Sequence, residues 1–98
     1  MTVVFTRTAI PASGRLGEAA EFAKKRIAAL QKAYGIEVSL NSRFGGPAGQ
    51  LTMVSFHDSM SDLEDLRRKI IADVGAGKIP TPEPGLFTQS EDAIWLRM

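Results

Sequence analysis

At 98 residues, with 44% hydrophobic and 23% charged side chains, the sequence has room for one packed core and no second domain. A balance of 12 Lys+Arg against 11 Asp+Glu, net charge +1, lacks the basic excess expected of a nucleic-acid or anionic-membrane binder. The absence of cysteine excludes disulfides, thiolate zinc sites, iron–sulfur clusters and cysteine nucleophiles, and fits a reducing, cytoplasmic setting.

The opening "TVVFTRTAI", residues 2–10, is rich in β-branched and aromatic residues and reads as a strand closed by Pro11, which cannot donate to a ladder. Arg7 and Thr8 interrupt it, so neither a secretory leader nor a membrane span is expected here. From Gly14 the period lengthens. Leu16, Ala20, Ala23, Ile27, Leu30 and Tyr34, with Phe22 beside them, form one helical stripe, capped by Ser13 and stopped by Gly35.

"IEVSLNSRF", residues 36–44, alternates strictly, with Ile36, Val38 and Leu40 on one face and Glu37, Ser39, Asn41 and Arg43 on the other. "QLTMVSFH", residues 50–57, sets Leu51, Met53, Ser55 and His57 against Thr52, Val54 and Phe56, a strand apolar on both faces. Between them lies "GGPAG", residues 45–49. A phosphate-cradling glycine loop needs a helix directly after it; a strand follows instead, so the cluster is read as a hairpin loop.

Ser59 or Ser61 caps a second helix that ends at Gly75 and buries Leu63, Leu66, Ile70 and Val74. "GAGKIPTPEPGLFTQS", residues 75–90, is expected to be a long loop, a lid over a cavity or a strap across a dimer, packed through Ile79, Leu86 and Phe87. "EDAIWLRM", residues 91–98, supplies the last strand. The basic clusters "KKR" at 24–26 and "RRK" at 67–69 read as solvated helix faces.

The order strand–helix–strand, strand–helix–strand is the α+β ferredoxin-like βαββαβ arrangement: a four-stranded antiparallel sheet with both helices on one face and the other face open. Thr6, Thr8, Glu37, Ser39, Asn41, Arg43, Val54, Phe56, Trp95 and Arg97 are the residues expected on that open face. It is too apolar in parts to stand in water, and a second copy would cover it. This element order, the glycine hairpin and the passage "SFHDSMSDLEDLRRKI" from third strand into second helix resemble the dimeric α+β barrel superfamily, and within it the small NIPSNAP-like proteins. The resemblance implies a homodimer through the sheet and a cavity for a small, largely apolar molecule. It also implies an alternative to such binding, a cofactor-independent monooxygenase or isomerase on an aromatic or lactone substrate; a purely structural homodimeric module whose sheet is consumed by its partner is a further alternative. Haem-degrading members carry an iron-ligating histidine in the second helix; "MSDLEDLRRKIIADV" has none. No cofactor or metal site is expected.

Several residues stand as candidates. His57, the sole histidine, sits beside Asp58, whose carboxylate would orient an imidazole for acid–base work. Trp95 with Asn41 would supply an apolar wall and an oxyanion donor. Arg7, Arg43 and Arg97, if they converge on one sheet face with Phe56, would hold a carboxylate ligand.

Overall fold

The computed structural model describes residues 2–45 and 49–98, so Gly46, Pro47 and Ala48 of the glycine cluster lie outside the described residues. Six elements follow in the expected order: β1 (Val3–Pro11), α1 (Leu16–Tyr34), β2 (Val38–Ser42), β3 (Leu51–His57), α2 (Met60–Gly75) and β4 (Phe87–Leu96). The strands form one antiparallel sheet in the order β2-β3-β1-β4. β1 is therefore a central strand, and its proline stands at the end, beside a register irregularity between Ile10 and Pro11.

Directly paired residues share a sheet face. The pairs Val3 with His57, Phe5 with Ser55, Arg7 with Met53 and Ala9 with Leu51 define one face, joined by Val38, Leu40, Asp92 and Ile94. Both helices pack there. Leu63 of α2 meets Val3, Phe5 and Met53; Ala19, Ala20, Phe22 and Ala23 of α1 gather with Leu40, Leu51, Leu86 and Phe87. The core is thus two clusters side by side rather than one. The opposite face, with Thr6, Thr8, Asn41, Val54, Phe56 and Trp95, is uncovered, and Trp95 is 58% exposed.

The helix signals mostly act as read. Gly35 takes φ 64° and donates its N–H to the Gln31 carbonyl, the left-handed stop that a side chain would strain. Ser59 Oγ accepts from the Asp62 N–H at 3.1 Å, so Ser59 rather than Ser61 caps α2. α2 closes past Gly75: Gly77, at φ 76°, and Lys78 donate to the Val74 and Asp73 carbonyls, a Schellman ending. Ser13 does not cap α1. The helix begins two residues later, with Arg15 in the cap position and no side-chain cap. The Arg15 guanidinium instead pairs with Glu18 and Glu83, fastening the start of α1 to the loop before β4.

β4 corrects a second boundary. It starts at Phe87, not near residue 91, because Gln89 and Ser90 pair with Ile10 and Ala9 of β1 and Thr88 Oγ1 donates to the Ile10 carbonyl. The connecting loop shrinks to residues 76–86, anchored by buried Ile79 and Leu86.

Candidate functional site

A cavity of about 200 Å³, open on one side to solvent, lies between α1 and the sheet. Its walls come from five elements and one loop: Arg7 and Ala9 (β1), Phe22, Ala23, Arg26 and Ile27 (α1), Leu40 (β2), Leu51 and Met53 (β3), Pro82, and Phe87 and Ser90 (β4). Period two along β1 and β3 and the helical stripe of α1 direct these side chains to the same space. Phe22 and Phe87 meet edge to face, ring centroids 6.2 Å apart, and close one wall. Apolar walls with few polar groups are the usual makeup of a small-molecule site, although this cavity is smaller than the ~300–1,000 Å³ of drug-sized ligand sites.

Arg7 and Arg26 are the charged residues in the wall. Arg7 donates Nε to Asp92 Oδ1 at 2.7 Å and Nη2 to Oδ2 at 3.0 Å, a two-pronged pair across the β1–β4 ladder. The Arg7 bond, and to a lesser degree the charges of Arg7 and Arg67, hold the Asp92 carboxyl below the usual carboxylate range. Two guanidinium groups lie over the Phe5 ring, Arg67 at 5.6 Å and Arg7 at 5.8 Å from its centroid. Arg26 makes a different contact: Nη1 donates to the Pro80 carbonyl at 2.9 Å. Burial first, and the neighbouring Arg7 charge second, lower its pKa from the usual arginine value.

The structure divides the residues singled out from sequence. Arg7 lines the cavity, on the helix face. Arg43 turns into the hairpin, donating Nη1 to Gln50 Oε1 at 2.8 Å and Nε to the Gly45 carbonyl at 2.5 Å. The expected convergence of Arg7, Arg43 and Arg97 on one face does not occur, because Arg7 alternates with Thr6 and Thr8 and points to the opposite side of β1. Arg97, Phe56 and His57 do meet, together with Thr2, Glu37 and Asp58, around a shallow depression at one end of the sheet. Asn41 and Trp95 share the open face but stand on its two edge strands, three strand spacings apart across the sheet and four residues apart along it, a separation of roughly 20 Å. His57 points to the other face: it is buried, and Nε2 lies 2.8 Å from Ser55 Oγ. That serine, rather than Asp58, orients the ring.

Phe22, Ala23, Arg26, Pro82 and Phe87 were not among the sequence candidates. One signal for Arg26 existed. It follows Ala23 by three positions and precedes Ile27, so it borders the buried stripe, whereas Lys24 and Lys25 are exposed.

No protein-family model matches the sequence, and no curated protein matches it either. Solved structures do match, and the chain has the ferredoxin-like fold seen in NIPSNAP family proteins. A NIPSNAP family protein from Agrobacterium tumefaciens superposes with a TM-score of 0.81 at 20% identity over 100% of this chain and 94% of its own. SnoaB, a cofactor-independent oxygenase from Streptomyces nogalater, gives 0.65 at 12% identity over 98% and 92% of the two chains. A mutant of MhuD with two manganese protoporphyrin IX bound per active site gives 0.74 at 14% identity over 97% and 93%. In the present chain the cavity between α1 and the sheet has a volume of about 200 Å³, and His57, the sole histidine, does not line it.

Proposed function

We propose that this protein binds a small apolar or aromatic molecule in the cavity between α1 and the sheet, and does so as a homodimer joined through the open sheet face. The observation that carries the binding reading is the apolar lining itself: Phe22, Ile27, Leu40, Leu51, Met53 and Phe87 line one concave pocket between α1 and the sheet. A ligand that binds there only in the folded state raises stability by mass action. The dimer reading rests on Val54, Phe56 and Trp95, three large apolar side chains on a face no helix covers, with Phe56 39% and Trp95 58% exposed.

The test is thermal unfolding of the purified protein against a panel of one- and two-ring aromatics and medium-chain aliphatics, repeated on Ala23→Trp. Binding raises the melting temperature of the wild type, and the variant, whose indole occupies the cavity, loses that response. No rise with any compound sinks the binding reading.

The rival reading, a cofactor-independent monooxygenase or isomerase, draws on the likeness to SnoaB. In one protomer its candidate residues His57, Asn41 and Trp95 lie on different faces, so binding in the α1 cavity is the better-supported function. His57→Ala separates the two: turnover of an aromatic or lactone substrate is abolished if His57 is catalytic, whereas only stability changes if it is a packing residue.

A further inference from the structure

Charge is unevenly satisfied around the cavity. Arg7 has its fork occupied by Asp92, at 2.7 and 3.0 Å. Arg26 has no carboxylate partner among the described residues, and its one bond, Nη1 to the Pro80 carbonyl, leaves most of its five N–H donors unspent. No acidic residue lines the cavity; Asp92 itself is outside the wall. A half-buried cation without a counterion, repelled by a second arginine and flanked by apolar walls, is an incomplete ion pair. The missing partner would come from the ligand.

The position of Arg26 also suits the task. Arg26 stands beside Ala23 and Ile27 in the cavity wall, and the Pro80 carbonyl fixes one prong, so less side-chain entropy remains to be lost on pairing. A phosphate would need several converging donors and polar surroundings. A planar carboxylate on an apolar body matches one guanidinium fork above a hydrophobic floor.

We infer that the cavity ligand is a carboxylate on a small aromatic or aliphatic body, with its charged group docked on Arg26. The inference rests on the reading of the cavity as a ligand site, and the experiment separates the two. Calorimetric titration compares benzoate, cinnamate, naphthoate and octanoate with the matching primary amides, on the wild type, Arg26→Gln, Arg26→Lys and Ala23→Trp. The acids are expected to bind at least about tenfold tighter than their amides. Arg26→Gln brings acid and amide to the same affinity, Arg26→Lys retains part of the preference, and Ala23→Trp abolishes binding of both. Equal binding of acid and amide, blocked by Ala23→Trp, overturns the carboxylate and keeps the cavity. Binding of neither overturns both. Should Arg26→Gln fail to fold, the acid-to-amide ratio on the wild type and on Arg26→Lys still decides.

Discussion

Arg7 and Asp92 face each other across the β1–β4 ladder and pair two-pronged, at 2.7 and 3.0 Å, on the cavity side of the sheet. The pair is partly exposed, side chains 39% and 34% accessible, so its coupling energy belongs near the ~0.2–1 kcal/mol of solvated ion pairs. Asp92 thus matters more for what it withholds than for stability. Asp92→Asn removes the charge that holds Arg7, and a carboxylate ligand should then bind about threefold to tenfold tighter, read by calorimetry against the wild type. An unchanged affinity would show that Arg7 takes no part in the site.

Phe22 and Phe87 form the edge-to-face wall of the cavity. Phe22→Ala is expected to cost about 2 kcal/mol in urea unfolding, less than the ~3–5 kcal/mol of a fully buried phenylalanine because the ring is only half-buried. The enlarged space should admit bulkier ligands than the wild type accepts, measured on the same titration series.

His57 supplies a pH signature. Burial lowers its pKa below the usual 6.5, against the opposing charges of Asp62 and Asp58, so the unfolded chain takes up the proton before the native one. Stability is therefore complete above about pH 6.5 and falls as pH drops through the window between that value and the lowered native pKa. Urea midpoints measured from about pH 7 to pH 5 should decline more steeply for the wild type than for His57→Gln.

Trp95 donates its indole N–H to Thr6 Oγ1 at 3.2 Å and leaves its ring on the open sheet face. Trp95→Asp places a charge where the second protomer is proposed to pack. Native mass spectrometry should show monomer in the variant and dimer in the wild type, with the far-ultraviolet circular dichroism unchanged.

Pro82 lines the cavity from the 76–86 loop, and Arg15 with Glu83 fastens that loop to α1. Replacing Pro82 and Pro84 with glycine should speed ligand dissociation in stopped flow and leave the dimer intact, at roughly 0.4–1 kcal/mol of stability for each residue. Loss of the dimer would instead mark the loop as a strap between protomers.

The fold was legible because its signals are local. Strict alternation gave β2, a run apolar on both faces gave β3, the Ala23–Ile27–Leu30 spacing gave α1, and Ser59 and Gly35 marked helix ends through chemistry confined to one turn. The site was less legible because it depends on pairings far apart in sequence. Asn41, His57 and Trp95 each sit in a well-read strand, but only the register across the sheet reveals that they do not meet. Arg7 could have been placed from alternation alone, since it is odd where Thr6 and Thr8 are even. Arg26 was hidden in "KKR", where two exposed lysines masked one residue on the rim of the buried stripe. The polar start of β4 had no period to detect, because an edge strand with Thr88, Gln89 and Ser90 exposed buries neither face.

The divided core has a mechanical consequence. With Leu63 and its neighbours in one cluster and Ala19, Leu51 and Leu86 in the other, the sheet is the shared floor, and the Tyr34 hydroxyl bonded to Asp73 at 2.5 Å is a tie between the far ends of the two helices. Local opening is expected to go by halves, α1 and its fastened loop lifting from the sheet once the Tyr34–Asp73 bond breaks while α2 stays seated. Occupancy of the space between α1 and the sheet would act as a keystone. The empty protein would then be the form that proteases nick first, and its lifetime would follow the supply of whatever fills the gap.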